Sequence, residues 1–268
     1  MAQKKQFKDL DLSNAFLFAA ALEDEETCRL VLECILGTSI KKVKVKAERS
    51  ILFSSDFRCV RLDIFASDEW NVGYNLEMQN IDEKNLPHRS RYHQAEMDLS
   101  SLKSGQDFKE LKPSVIIFIC NFDPFGKGLY RYTFEARCQE EDFPLNDGAK
   151  RIFLSTMGQN VKDVPKELVH FLKYVKDSTD ICVEQMGDDR LEKIHKRIKI
   201  LKHSREREER YMQFEEMLKK EHREGYSEGS QQMWELISRM LADGKADKIS
   251  RLKTEENYYQ EMLKQYHI

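Results

Sequence analysis

Residues 114–120 (SVIIFIC) run for a whole strand length without a charge, the pattern of a β-strand covered on both faces. Such a strand lies inside a sheet, so the chain reads as α/β. Shorter, alternating segments precede it. Residues 42–47 (KVKVKA) alternate strictly. Residues 57–66 put Val60, Leu62, Ile64 and Ala66 on one face and Cys59, Arg61, Asp63 and Phe65 on the other. Residues 72–79 put Val72, Tyr74, Leu76 and Met78 on one side and Asn75, Glu77 and Gln79 on the opposite side. With the turn-like 67–71 (SDEWN) between them, the last two segments form a hairpin that brings Asp63, Glu77 and Gln79 to one face.

Two helices complete the pattern. Residues 24–37 carry Leu30, Val31, Leu32, Ile35 and Leu36 as an apolar part, with Glu25 and Glu26 in the first turn and Gly37 as a stop. Glu33 lies inside that apolar part, where a glutamate needs a partner or an exit to water. Residues 87–104 form a second helix with Tyr92, Ala95, Leu99 and Leu102 at helical spacing. The order is helix, three strands, helix, strand.

An aspartate beside a glutamate in a half-buried sheet repels it unless a proton or a cation lies between them. A hard oxygen-binding ion such as Mg²⁺ resolves the repulsion. Spacing alone equally allows two solvated acids on the wet face of a surface hairpin.

The ordered set from residue 16 to residue 122 resembles the PD-(D/E)XK nuclease fold. It is closest to the recombination-promoting nuclease family of bacterial proteins often labelled transposases. The segments that carry the resemblance are Leu32-Glu33-Cys34-Ile35-Leu36-Gly37, Arg61-Leu62-Asp63-Ile64, Leu76-Glu77-Met78-Gln79, Arg89-Ser90-Arg91-Tyr92-His93 and Lys112-Pro113-Ser114. The resemblance implies a restriction-endonuclease-like core with a mixed central sheet, and a Mg²⁺- or Mn²⁺-dependent DNA endonuclease activity. It makes Asp63 and Glu77 metal ligands, adds the Met78 backbone carbonyl, and brings Glu33 to the site from its helix. Gln79 stands where the wider superfamily has lysine; glutamine orients a water but supplies no charge. Arg91 or His93, on the next helix, would then supply it.

The 44 lysines and arginines nearly balance the 47 acids, so any grip on nucleic acid comes from a local patch. The candidate is residues 190–205. There Leu191, Ile194, Ile198 and Leu201 give one buried stripe, and seven basic residues, among them Lys196, Arg197 and Lys199, face one acid, Glu192. A solvated charged face and a phosphate-contacting one both fit. The six cysteines show no CxxC pair, which suits reduced core residues of a cytoplasmic protein. Asp9 and Asp11 interrupt a signal-like start, so residues 15–22 read as a short amphipathic helix. No apolar run approaches the ~20 residues of a membrane span.

Residues 130–136 and 151–156 extend the sheet, and residues 165–176 form a helix with Leu168, Phe171, Leu172 and Val175 inward. A nuclease-like domain over 1–186 is expected, then a charged helical region over 187–268. In that region Gly225 and Gly229 permit close helix approach, and the closing helices fit homo-oligomerisation. The resulting expectation is a metal-dependent DNA endonuclease linked to recombination, mobile elements or phage defence. The alternative is a catalytically weak or inactive nuclease fold acting as a DNA-binding regulatory oligomer.

Overall fold

The apolar run is strand β6 (Ser114–Cys120), buried at every position. The computed structural model describes residues 5–46, 52–53, 60–61 and 64–268, with residues 52, 53, 60, 61 and 256 described by backbone alone. β6 pairs in parallel with β5 (Gly73–Gln79) on one side and β8 (Ala149–Ser155) on the other. Antiparallel strands close both flanks: β4 (Ile64–Asp68) then β1 (Val43–Val45) beyond β5, and β7 (Arg131–Phe134) beyond β8. The result is a six-stranded mixed sheet in the order β1-β4-β5-β6-β8-β7.

Within the segment expected as one strand over 57–66, the described residues are Val60–Arg61, which form β3 and pair with β2 (Leu52–Phe53) in a two-stranded ladder, and those from Ile64 on, which belong to β4. Asp63 lies outside the described residues. The hairpin between β4 and β5 is held by Asp68, whose carboxylate accepts from the Trp70 and Val72 amides at 2.9 Å each and from the Tyr74 hydroxyl at 2.8 Å. Asn71 takes the left-handed conformation this tight turn requires, a role suited to asparagine.

Strand alternation gives the sheet two different faces. Tyr74, Leu76, Met78, Ile117, Ile119, Ile152 and Leu154 are buried on one face. Helices α1 (Ala15–Leu22) and α2 (Glu25–Leu36) contact β5 and β1 respectively. α1 is not amphipathic: every residue from Phe16 to Leu22 is buried, because the sheet, α2 and α6 (Asp189–Lys202) surround it. Asp24 caps α2 through the Thr27 amide at 2.8 Å, and Gly37 ends it in the left-handed conformation. In α4 (Lys166–Lys176), Leu168, Phe171, Leu172 and Val175 are all buried.

The opposite face carries Asn75, Glu77 and Gln79 beside Ile116, Phe118 and Cys120. Helix α3 (Leu86–Ser101), which joins the parallel strands β5 and β6, covers it. The apolar stripe expected on this helix is turned outward: Tyr92 is 55% exposed and Leu99 80%. Its buried residues are Leu86, Ser90, His93, Gln94 and Met97. A sheet face bearing an acid and two amides selects a polar helix face in preference to an apolar one.

The chain forms two compact units, Met1–Glu209 and Arg210–Ile268. The expected division after residue 186 falls between α5 (Asp180–Met186), a short helix not anticipated from sequence, and α6, which packs on α2 within the first unit. α7 (Arg205–Ala242) continues unbroken through Gly225 and Gly229. In the second unit its last turns pack Leu236 and Met240 against Leu252 of α8 (Arg251–Thr254) and Met262 of α9 (Glu256–Tyr266). Among the described residues no helix is long and apolar enough to cross a membrane.

Candidate active site

Glu77 and Gln79 sit two residues apart on β5, so both side chains point at α3. Gln79 Nε2 donates to Glu77 Oε1 at 2.6 Å. Arg89, in the first turns of α3, closes the group: one guanidinium nitrogen donates to the same Glu77 oxygen and another to Gln79 Oε1 at 3.1 Å. The guanidinium lies 5.8 Å from the centre of the Phe118 ring, which backs it from the sheet. One turn further along α3, His93 Nε2 lies 3.4 Å from Glu77 Oε2, and His93 Nδ1 lies 3.3 Å from Glu96. The first of these distances is a close approach without hydrogen-bond geometry, for Glu77 Oε2 is buried and has no hydrogen-bond partner among the described residues. Asn75, fully buried one step earlier on the strand, has neither amide atom hydrogen-bonded among the described residues.

A carboxylate with one oxygen fixed by Arg89 and Gln79 and the other buried without a hydrogen bond fits a hard cation at that second oxygen. Among the described residues no group of three His, Cys, Asp or Glu side chains could hold a metal ion. Of the two carboxylates expected on the hairpin face, Glu77 is described and Asp63 is not. The main chain at Met78 lies past Ile64↔Leu76, the last described β4–β5 pair, while its side chain is buried on the other face. Cys120, paired in register with Gln79, is no nucleophile: burial pushes its thiol up to about 12.

The remaining sequence candidates are distributed differently. Arg91 is exposed; two residues from Arg89, it projects from the far side of α3, so the arginine at this site is Arg89. The i,i+4 spacing of Arg89 and His93 was the sequence signal for it. Glu33 belongs to another cluster. Its carboxylate accepts from Arg29 at 2.8 Å and from the Ile40 amide at 2.9 Å, and it lies 3.3 Å from Arg190 of α6. The partner its burial demanded is this arginine pair, at a cavity of about 490 Å3 shared with His170 and Asp188. No described contact joins Glu33 to Glu77.

On α6, Lys196 is exposed beside Glu192 at 3.8 Å. Arg197 pairs with Asp24 at 2.7 Å and Lys199 with Asp180 at 2.8 Å. The Lys199 hydrogen bond, then that of His195, holds the Asp180 carboxyl down at about 2. The basic face is thus partly neutralised from within the chain. The cysteines Cys28, Cys34, Cys120, Cys138 and Cys182 are free.

No curated protein and no solved structure gives a significant match to the chain. A family model described as PD-(D/E)XK nuclease family transposase matches residues 10–229, which span the sheet, α3 and the Glu77 cluster. The mixed α/β sheet flanked by helices fits the restriction-endonuclease-like fold, and the chain belongs to the PD-(D/E)XK nuclease family of transposases.

Proposed function

We propose that the chain is a divalent-cation-dependent endonuclease that hydrolyses phosphodiester bonds in DNA, the substrate class its nuclease family implies. One observation carries the reading: Glu77 is held by Arg89 and Gln79 through one oxygen, while its second, buried oxygen has no hydrogen bond among the described residues. Asp63 is the second carboxylate of the proposal. In sequence it is the next residue before Ile64, and Ile64 pairs with Leu76, the residue before Glu77. The Met78 carbonyl completes the chain's contribution. Bound Mg²⁺ or Mn²⁺ would supply Lewis acidity toward the phosphate and a lowered pKa for an attacking water. Gln79 and Arg89 hold Glu77 in a fixed orientation, and His93 approaches it from the next turn of α3.

Lys196, Arg197 and Lys199 are proposed as phosphate contacts, their exposed ion pairs being weak enough to exchange for a backbone phosphate. Self-association through the C-terminal helices is proposed because a Cβ at Gly225 or Gly229 would meet nothing within 4 Å, leaving that face of α7 open to a second copy. A cytoplasmic location agrees with the free cysteines. Recombination, mobile-element activity or phage defence is the biological setting the family suggests.

The test is plasmid nicking with Mg²⁺ or Mn²⁺. Asp63→Ala and Glu77→Ala should each abolish cleavage while DNA binding survives. Cleavage by either variant at the wild-type rate would sink the reading. A second reading, a DNA-binding regulatory oligomer on a nuclease fold, is favoured by the absence of lysine at Gln79. It requires DNA binding with no metal-dependent nicking by any variant.

A further inference from the structure

We infer that the positive charge of this site comes from Arg89 on α3, and that Gln79 serves as the link fixing Arg89 to Glu77 and does not itself orient the water. The inference rests on the hydrolytic reading above. Both functional ends of the Gln79 amide are engaged, Nε2 on Glu77 and Oε1 on Arg89, so the side chain is locked between two partners. The Arg89 side chain is 31% exposed and that of Glu77 only 9%, so the guanidinium reaches outward from a buried carboxylate. A guanidinium carries five donors and stays charged at every pH a protein survives. Two nitrogens serve Glu77 and Gln79, and the remaining N–H groups are available to a non-bridging phosphate oxygen. The Phe118 ring beneath the guanidinium limits its plane, and the first turns of α3 add the positive end of the helix dipole.

The consequence for hydrolysis is specific. The water oxygen bonds phosphorus as the phosphorus–oxygen bond to the leaving group breaks; the water's proton passes to solvent, since a guanidinium cannot accept it, and the departing oxygen takes a proton from solvent and leaves as a hydroxyl. Arg89 stabilises charge on the phosphoryl oxygens through donors already in place. Arg89 supplies the charge and Gln79 is the positioning residue, so a lysine returned to position 79 should take over the task of Arg89.

The experiment compares wild type, Arg89→Gln and the double variant Arg89→Gln/Gln79→Lys as full chains. Plasmid nicking at saturating Mg²⁺, DNA affinity by filter binding and the melting temperature without metal are measured. Arg89→Gln should lower kcat by about a hundredfold with DNA affinity changed far less. The double variant should recover about tenfold or more over the single one, because charge and not shape is what was removed. Wild-type nicking by Arg89→Gln, or a double variant no faster than the single, overturns the inference. If Arg89→Gln alone does not fold, the double variant still decides: cleavage upholds the relocation of charge, and an inert or unfolded double variant overturns it. A wild type that never nicks defeats the proposed activity instead. The melts then judge the link by themselves: Arg89→Gln must melt below wild type and the double variant must regain the difference, or the inference falls.

Discussion

Replacing Glu33 by glutamine separates an anchoring role from a metal-binding one. The Glu33 side chain is 6% exposed, and its contacts come from three places: Arg29 in its own helix, the Ser39 hydroxyl and Ile40 amide ahead of β1, and Arg190 of α6. A glutamine carbonyl keeps the Ile40 bond, so the loss is one of charge. Arg29 retains Glu26 at 2.7 and 2.8 Å, and Arg190, 34% exposed, recovers part of its solvation from water. Breaking a fully buried pair costs about 3–5 kcal/mol; discounted for the exposure of both arginines, about 2 kcal/mol is expected here. At roughly 2–4 °C per kcal/mol for a unit of this size, the melting temperature falls by about 4–8 °C. Thermal melts followed by circular dichroism measure that fall, and plasmid nicking below the new melting point measures function. Nicking and stabilisation by Mg²⁺ should both persist. A Glu33→Gln protein that melts like wild type but has lost nicking and the Mg²⁺ response would refute the anchoring argument and return Glu33 to the metal.

Two further outcomes follow from the helices. Changing Lys196, Arg197 and Lys199 together to glutamine should weaken DNA binding and flatten its salt dependence without altering the response to Mg²⁺; an unchanged salt slope makes that face a solvated one. Gly225→Ala and Gly229→Ala should each stabilise α7 by about 1 kcal/mol, since a Cβ meets open space at both positions. If the tail pairs with a second copy through these glycines, light scattering should show the mass falling toward the monomer; an unchanged mass removes the glycines from the interface.

Strands β5 and β6 were legible because their patterns are local. The uncharged run became β6 from Ser114 to Cys120 with all residues buried, and the alternation of 72–79 became β5 with its acid and amide side turned to α3. Gly37 and Asp24 ended and began α2 as their chemistry dictates. Helix α3 misled because its apolar spacing pointed at Tyr92 and Leu99, while β5 presents Asn75, Glu77 and Gln79 to the side it buries. Which side a helix buries is decided by the sheet it meets, and that pairing is not written in the helix. The same turn of α3 hid Arg89 behind Arg91. Glu33 was correctly marked as needing a partner, but Arg190 is 157 positions further along the chain, beyond the reach of any spacing argument.

The fully buried amide of Asn75 has no hydrogen-bond partner among the described residues, and a polar group in that condition costs roughly 1–3 kcal/mol. The sheet therefore carries a standing cost on the face turned to α3, one step along β5 from Glu77. A β-branched replacement at Asn75 should remove that cost and raise the melting temperature, so stability and the polar character of this face pull in opposite directions.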